Sequence, residues 1–240
     1  MRYLSLFFLY ALLGTSTVNA QMEGRNMAKI NLSAFALKGF NVQYERQIAK
    51  RWTAALGYSA IPKSTIAFKS VLDKQVNDVD INFGDMRLGT SIFTPEIRYY
   101  VGKRGAFHGF YLAPYARISS YDMDGPISIF SGIDRRTVIF SGKLNAVTGG
   151  LMLGSNFRLS DRLHLDWWII GAGFGGANGN LVAATSLSEM EQRELRRELE
   201  NLEVPMTRIQ SQVNANGATI TTTGSMAGIR GLGLNLGIRF

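Results

Sequence analysis

The chain has 240 residues, 46% of them apolar and 18% charged, with 26 Gly, 5 Pro and no Cys. Zero Cys excludes disulfides, thiolate metal sites, a Cys nucleophile and a lipidated N-terminal Cys. The formal charge is +8, the charged fraction is below the ~25% usual for soluble domains, and mean hydropathy is only +0.02. A helical membrane protein scores much higher, whereas strands that are apolar on one face and polar on the other average near zero.

Arg2 is the only charge in Met1–Ala20. An apolar run from Tyr3 to Gly14 follows it, and then the small residues that end in Val18-x-Ala20. This pattern predicts a signal peptide over 1–20, cleaved before Gln21. The run is too short to span a membrane as a helix, which takes ~20 residues. Removing Arg2 with the peptide lowers the formal charge from +8 to +7.

The rest of the chain alternates with a period of two, the signature of strands with one apolar face. The predicted strands, in order, are Ile30–Ala36, Phe40–Ile48, Trp52–Ser59, Phe93–Val101, Phe110–Ser119, Val147–Leu159, Leu163–Ile169 and Leu232–Phe240. In the last, Leu232, Leu234, Leu236, Ile238 and Phe240 oppose Gly231, Gly233, Asn235, Gly237 and Arg239. The connections at about 61–91, 122–141 and 175–226 are long, and those between them are short. Strict short–long alternation from the second connection onward matches a barrel with short periplasmic turns and long outer loops. Trp167 to Ser188 is uncharged, but its glycines and asparagines favour a strand running into a loop over a transmembrane helix. A soluble β-sandwich or lipocalin-like barrel also alternates. Aromatic residues near strand ends on the apolar face, Tyr44, Trp52, Tyr58, Tyr99, Phe110, Phe157 and Trp167 among them, instead suit a membrane interface. The expected fold is all-β: an eight-stranded antiparallel transmembrane β-barrel with one amphipathic helix in the last outer loop.

That helix is predicted over 186–203. Ser188-x-x-Glu191 is a capping box that competes with Ser186-x-x-Glu189, and Met190, Leu195, Leu199 and Leu202 recur at roughly helical spacing. It is expected to lie as a lid across the outer mouth. Thr219–Thr223 and the spacing of Val79, Ile81 and Phe83 suggest strands extended beyond the membrane.

The polar face carries Glu45, Glu96 and Asp166 against Arg98, Arg117, Arg158 and Arg239, with Tyr111, Tyr115, His164, Gln43 and Gln47 as hydrogen-bonding groups. An eight-stranded barrel is just wide enough for its side chains to fill it. Charges there must pair, so a packed polar plug is expected, with a narrow proton or ion path as the sharper alternative. The chain has two His, His108 in a short turn and His164 near a strand start, and neither is placed at the outer rim. No catalytic, cofactor-binding or metal-binding residue is predicted. The scattered basic charge does not suggest nucleic acid.

Thr94–Tyr100, Gly109–Tyr115 and Leu165–Gly171 resemble an uncharacterised family of outer-membrane β-barrel proteins of Gram-negative bacteria, a domain of unknown function. The resemblance covers most of the chain after residue 20 and the Glu-rich insertion. It implies location in the cell outer membrane and no established activity. The expected function is structural or surface-binding. A minor transport or ligand-binding barrel using the outer mouth is the alternative, and a lipid-modifying enzyme the third reading. Expected partners are outer-membrane lipid, the barrel-assembly machinery through Phe240, and a surface glycan or protein at the outer loops.

Overall fold

The computed structural model describes residues 24–65, 86–131, 134–200 and 206–240. The predicted signal segment 1–20, the Val79–Ile81–Phe83 pattern and Leu202 lie outside the described residues. The elements are β1 (Asn26–Asn31), α1 (Ser33–Ala36), β2 (Phe40–Ala49), β3 (Trp52–Thr65), β4 (Arg87–Tyr100), β5 (Gly109–Ser131), β6 (Asp134–Arg158), β7 (Leu163–Ala184), α2 (Glu189–Glu200), β8 (Thr207–Asn214) and β9 (Gly217–Arg239). Each strand from β1 to β6 pairs antiparallel with the next, β7 pairs with β9, and β9 returns to β1. Eight strands thus form a ring, and β8 is a ninth that pairs with the first part of β9. No helix among the described residues is long and apolar enough to cross a membrane. Trp167 lies in β7, and the Gly-rich run expected to form a loop continues the same strand to Ala184.

The ends of the ring differ. At one end the Asn26 and Phe240 backbones bond each other twice at 2.9 Å, beside the short turns after β2, β4 and β6. At the other end the strands overrun their predicted limits. The β5–β6 ladder continues from Gly109↔Asn156 to Ser131↔Asp134, so most of the expected 122–141 loop is strand. Similarly, β7 reaches Ala184 and β9 starts at Gly217. Backbone pairing needs no apolar side chain, so the ladder continues past the point where apolar alternation stops.

The first strand is corrected. It is Asn26–Asn31 rather than Ile30–Ala36. The Asn31 Oδ1 accepts the Ala34 N–H at 2.9 Å and turns the chain into α1. An Asn side chain that bonds its own downstream backbone competes with the strand ladder.

Two irregularities change which side chains face inward. The β6–β7 register slips between Leu153↔Ile170 and Gly154↔Trp168, leaving Ile169 as a bulge. In β9, Gly231 and Leu232 are both exposed, and Leu232 has φ 54°. The β7–β9 register is kept across this kink, from Trp168↔Gly233 to Ile170↔Gly231, and beyond it the alternation reverses. Arg230 is therefore buried although it shares the odd–even phase of the exposed Leu232 and Leu234.

In α2 the predicted box forms. The Ser188 N–H donates to Glu191 Oε2 at 2.7 Å and the Glu191 N–H to Ser188 Oγ at 3.3 Å. Leu195 and Leu199 pack with Leu187 against Val138, Val213 and Ala218 at the hairpin end of the ring. Met190, expected on the same stripe, is exposed.

Candidate functional site: a buried ion-pair plug

The ring polarity sets the site. Val42, Leu56, Phe93, Ile97, Leu112, Ile118, Val147, Leu151, Phe174 and Ile238 face outward and are exposed. The alternate residues Lys29, Gln43, Glu45, Thr53, Glu96, Arg98, Asp166 and Asn235 face inward and are buried.

Arg98 of β4 is the centre. Its Nη1 donates to Glu45 Oε2 at 2.9 Å and to Asp166 Oδ2 at 2.7 Å. Its Nε donates to Glu96 Oε1 at 2.6 Å and its Nη2 to Gln43 Oε1 at 2.8 Å. The guanidinium lies 4.5 Å from the Tyr111 ring centre. Lys29 of β1 bridges Glu45 and Asp166, the latter at 2.6 Å. Arg230 of β9 donates to Glu96 Oε2 at 2.6 Å and stacks 4.0 Å over the Trp168 ring. Hydroxyls complete the set: Thr53 and Tyr100 donate to Glu45 Oε1 at 2.6 and 2.8 Å, and Tyr111 to Asp166 Oδ1 at 2.8 Å.

The tally is three carboxylates against three cations, and every carboxylate oxygen has a donor. Buried ions tolerate desolvation only under that condition. The network ties β1, β2, β3, β4, β5, β7 and β9 together across the interior. Toward the short-turn end, Met27, Tyr100, Phe107, Tyr111 and Met152 fill the remaining space. Phe107 comes from the β4–β5 turn, where φ 64° aims it inward.

Of the residues predicted for this face, Glu45, Glu96, Arg98, Tyr111 and Asp166 meet in the network. Tyr115 lies beside it, its ring 5.3 Å from the Arg230 guanidinium. His164 sits nearer the short turns, with its Nδ1 2.8 Å from Asn156 Oδ1 and its ring against Phe107 and His108. Three arginines do not join. Arg158 is half exposed and pairs with Asp161, because β6 has reached its end and the side chain folds onto the next turn. Arg239 donates to the Gly24 carbonyl and covers the Phe107 ring at 5.1 Å. Arg117 lies toward the hairpin end and has no ion-pair or hydrogen-bond partner among the described residues.

Sequence reasoning missed Lys29 and Arg230. Lys29 preceded the assumed first strand, although Met27, Lys29 and Asn31 already alternate with Ala28 and Ile30. Arg230 is turned inward by the positive-φ kink at Leu232, whose sequence trace is the Gly231-Leu232-Gly233 triplet.

No curated protein matches the chain. A family model described as a protein of unknown function, DUF3575, matches residues 6–200. The match covers most of the chain, which therefore belongs to the DUF3575 family.

Proposed function

We propose that this protein is a small outer-membrane β-barrel with a plugged lumen and a structural or surface-binding role. The observation that carries the reading is inverted polarity. Soluble proteins bury their large apolar residues and rarely expose wide apolar patches. Here a band of exposed aliphatic and aromatic side chains encircles the outside of the ring, while a cluster of paired charges lies buried within it. On β5 the outward band runs from Phe110 to Ile118, and on β6 from Phe157 back to Val147. A strand of ~9–11 residues is what spans a bilayer. Tyr44, Trp52, Phe110, Phe157 and Trp167 suit one interface level, and Tyr58 and Phe93 the other. Phe240, exposed at the end of the last strand, suits recognition by barrel-assembly machinery. The plug fixes the strands around the ring and obstructs free passage, so little or no single-channel conductance is expected. The exposed outer side of α2 is a contact surface for a glycan or protein.

The test is fractionation followed by gel migration with and without boiling. Recovery with the outer membrane and a shift on boiling are expected. Recovery in the soluble fraction with no shift would overturn the reading. Protease added to intact cells is expected to cut first within 175–226, and cutting at 102–109 would invert the topology.

A further inference from the structure

β9 is paired with β7 along almost its whole length, but its other edge is not continuously paired. β8 covers Gly217–Gly224 and β1 covers Asn235–Arg239. Between them, residues 226–231 have no strand partner on that side among the described residues. α1 stands beside the gap, and its Ser33 Oγ accepts the Leu234 N–H at 3.0 Å. The cause lies in the first strand: Asn31 ends β1 too early to follow β9 further.

A cavity of about 250 Å³ lies at this gap. Its lining joins the two faces of the wall. Leu37, Phe40 and Ile229 are exposed on the outside, whereas Asn41, Arg117 and Trp168 face inward. Among the described residues, two buried polar atoms at this cavity have no hydrogen-bond partner and one cation has no ion-pair partner. The cation is Arg117, which is only partly buried. Trp168 is 5% exposed and its indole N–H has no partner. Asn41 Oδ1 is also without one, while its Nδ2 meets Ser59 Oγ. Because a Ser hydroxyl can donate as well as accept, turning that amide over keeps the Ser59 bond and presents an NH₂ to the cavity. Buried polar groups without partners are uncommon. A guanidinium, an indole N–H and an amide NH₂ together make a donor set for an anion.

We propose that this gap admits a single-chain amphiphile with an anionic head, carboxylate or phosphate. The head is held by Arg117 and Trp168, and the chain leaves over Leu37, Phe40 and Ile229 to the outer face. The volume is below the ~300–1,000 Å³ of pockets that enclose a whole drug-sized ligand. It suits a head and the first carbons, with the rest of the chain outside. The proposal rests on reading the outer face as lipid-facing.

The test uses the full chain folded in octyl glucoside micelles, with the boiling shift confirming the fold. Binding of hexadecanoate, hexadecyl phosphate, hexadecanol and inorganic phosphate is measured separately. Saturable binding of one anionic amphiphile per chain is expected, at least tenfold tighter than hexadecanol or inorganic phosphate, and the tighter of the two amphiphiles identifies the head. Arg117→Gln should weaken it at least tenfold, and Arg158→Gln should not. If Arg117→Gln loses the boiling shift, Trp168→Phe, which keeps an aromatic ring without the N–H, is used, with severalfold weakening expected. Equal binding of hexadecanol removes the anionic head, and equal binding of inorganic phosphate removes the chain. An unchanged affinity in a shifted Arg117→Gln variant removes the site. Each of these outcomes overturns the proposal, as does shifted wild-type protein that binds neither amphiphile. Wild-type protein with no boiling shift overturns the barrel reading together with the proposal.

Discussion

Arg98→Met is expected to be among the most damaging single substitutions in the ring. The guanidinium bonds Glu45, Glu96, Asp166 and Gln43, all buried. Removing it changes the interior from three cations against three carboxylates to two against three. Breaking a buried pair from one side costs about 3–5 kcal/mol, because the remaining charge has lost its partner. Arg158→Met removes a half-exposed pair with Asp161 and should cost about 0–1 kcal/mol. A difference of ~3 kcal/mol is about a hundredfold in the folding equilibrium. The assay is urea unfolding followed by the unboiled band on gels. The double variant Arg98→Met with Glu45→Gln leaves Lys29 with Asp166 and Arg230 with Glu96, two matched pairs. Its cost should fall short of the sum of the single costs by about 1–3 kcal/mol. Arg98→Met within ~1 kcal/mol of wild type, or no different from Arg158→Met, would refute the plug.

Other consequences follow from particular contacts. A Cβ on Gly154 would overlap the Tyr111 hydroxyl end and approach the Trp167 carbonyl oxygen to 2.9 Å. Gly154→Ala should therefore cost about 1–3 kcal/mol in the same urea assay by displacing Tyr111 from Asp166. Leu195→Ala empties part of the cluster under α2, and a cost of about 2–5 kcal/mol is expected to fall on the hairpin end alone. Faster proteolysis within 175–226 with an unchanged boiling shift would show this, and a lost shift would contradict it. Lys63 bonds Asp122 at 2.8 Å and also pairs with Asp124, beyond the outward apolar band. Bonds to the two carboxylates raise the Lys63 amine, and the Lys63 bond lowers the Asp122 carboxyl. The tie is therefore present between the ordinary aspartate and lysine ranges. It is lost as pH falls through the lowered Asp122 value or rises through the raised Lys63 value. Amide exchange at Lys63 and Asp122, corrected for intrinsic rate, should quicken on both sides of that window, and a flat profile would count against the tie.

Seven of the eight predicted ring strands were legible because alternation is a local property. Within each regular stretch, outward positions recur every second residue. The α2 start was legible for the same reason, since Ser188 and Glu191 meet within one turn. Strand lengths were less so. The ladder past Tyr121 and Ser141 is held by backbone bonds that any residue supplies, so Ser131 and Asp134 carry no apolar signal for it.

The polar face was legible residue by residue but not as a set. Glu45, Glu96, Arg98 and Asp166 look the same in sequence as Arg158 and Arg239, because period two assigns a face and not a height along the axis. Height comes from strand register, and register places Arg98 among three carboxylates and Arg158 at a turn. The sequence by itself thus determined an all-β chain with one apolar and one polar face, through spacing alone. Only the tertiary structure decided which charges meet, that Lys29 and Arg230 are among them, and where the wall is left unpaired. Those outcomes depend on the early end of β1 at Asn31 and the kink at Leu232, and both are features of pairing between distant segments.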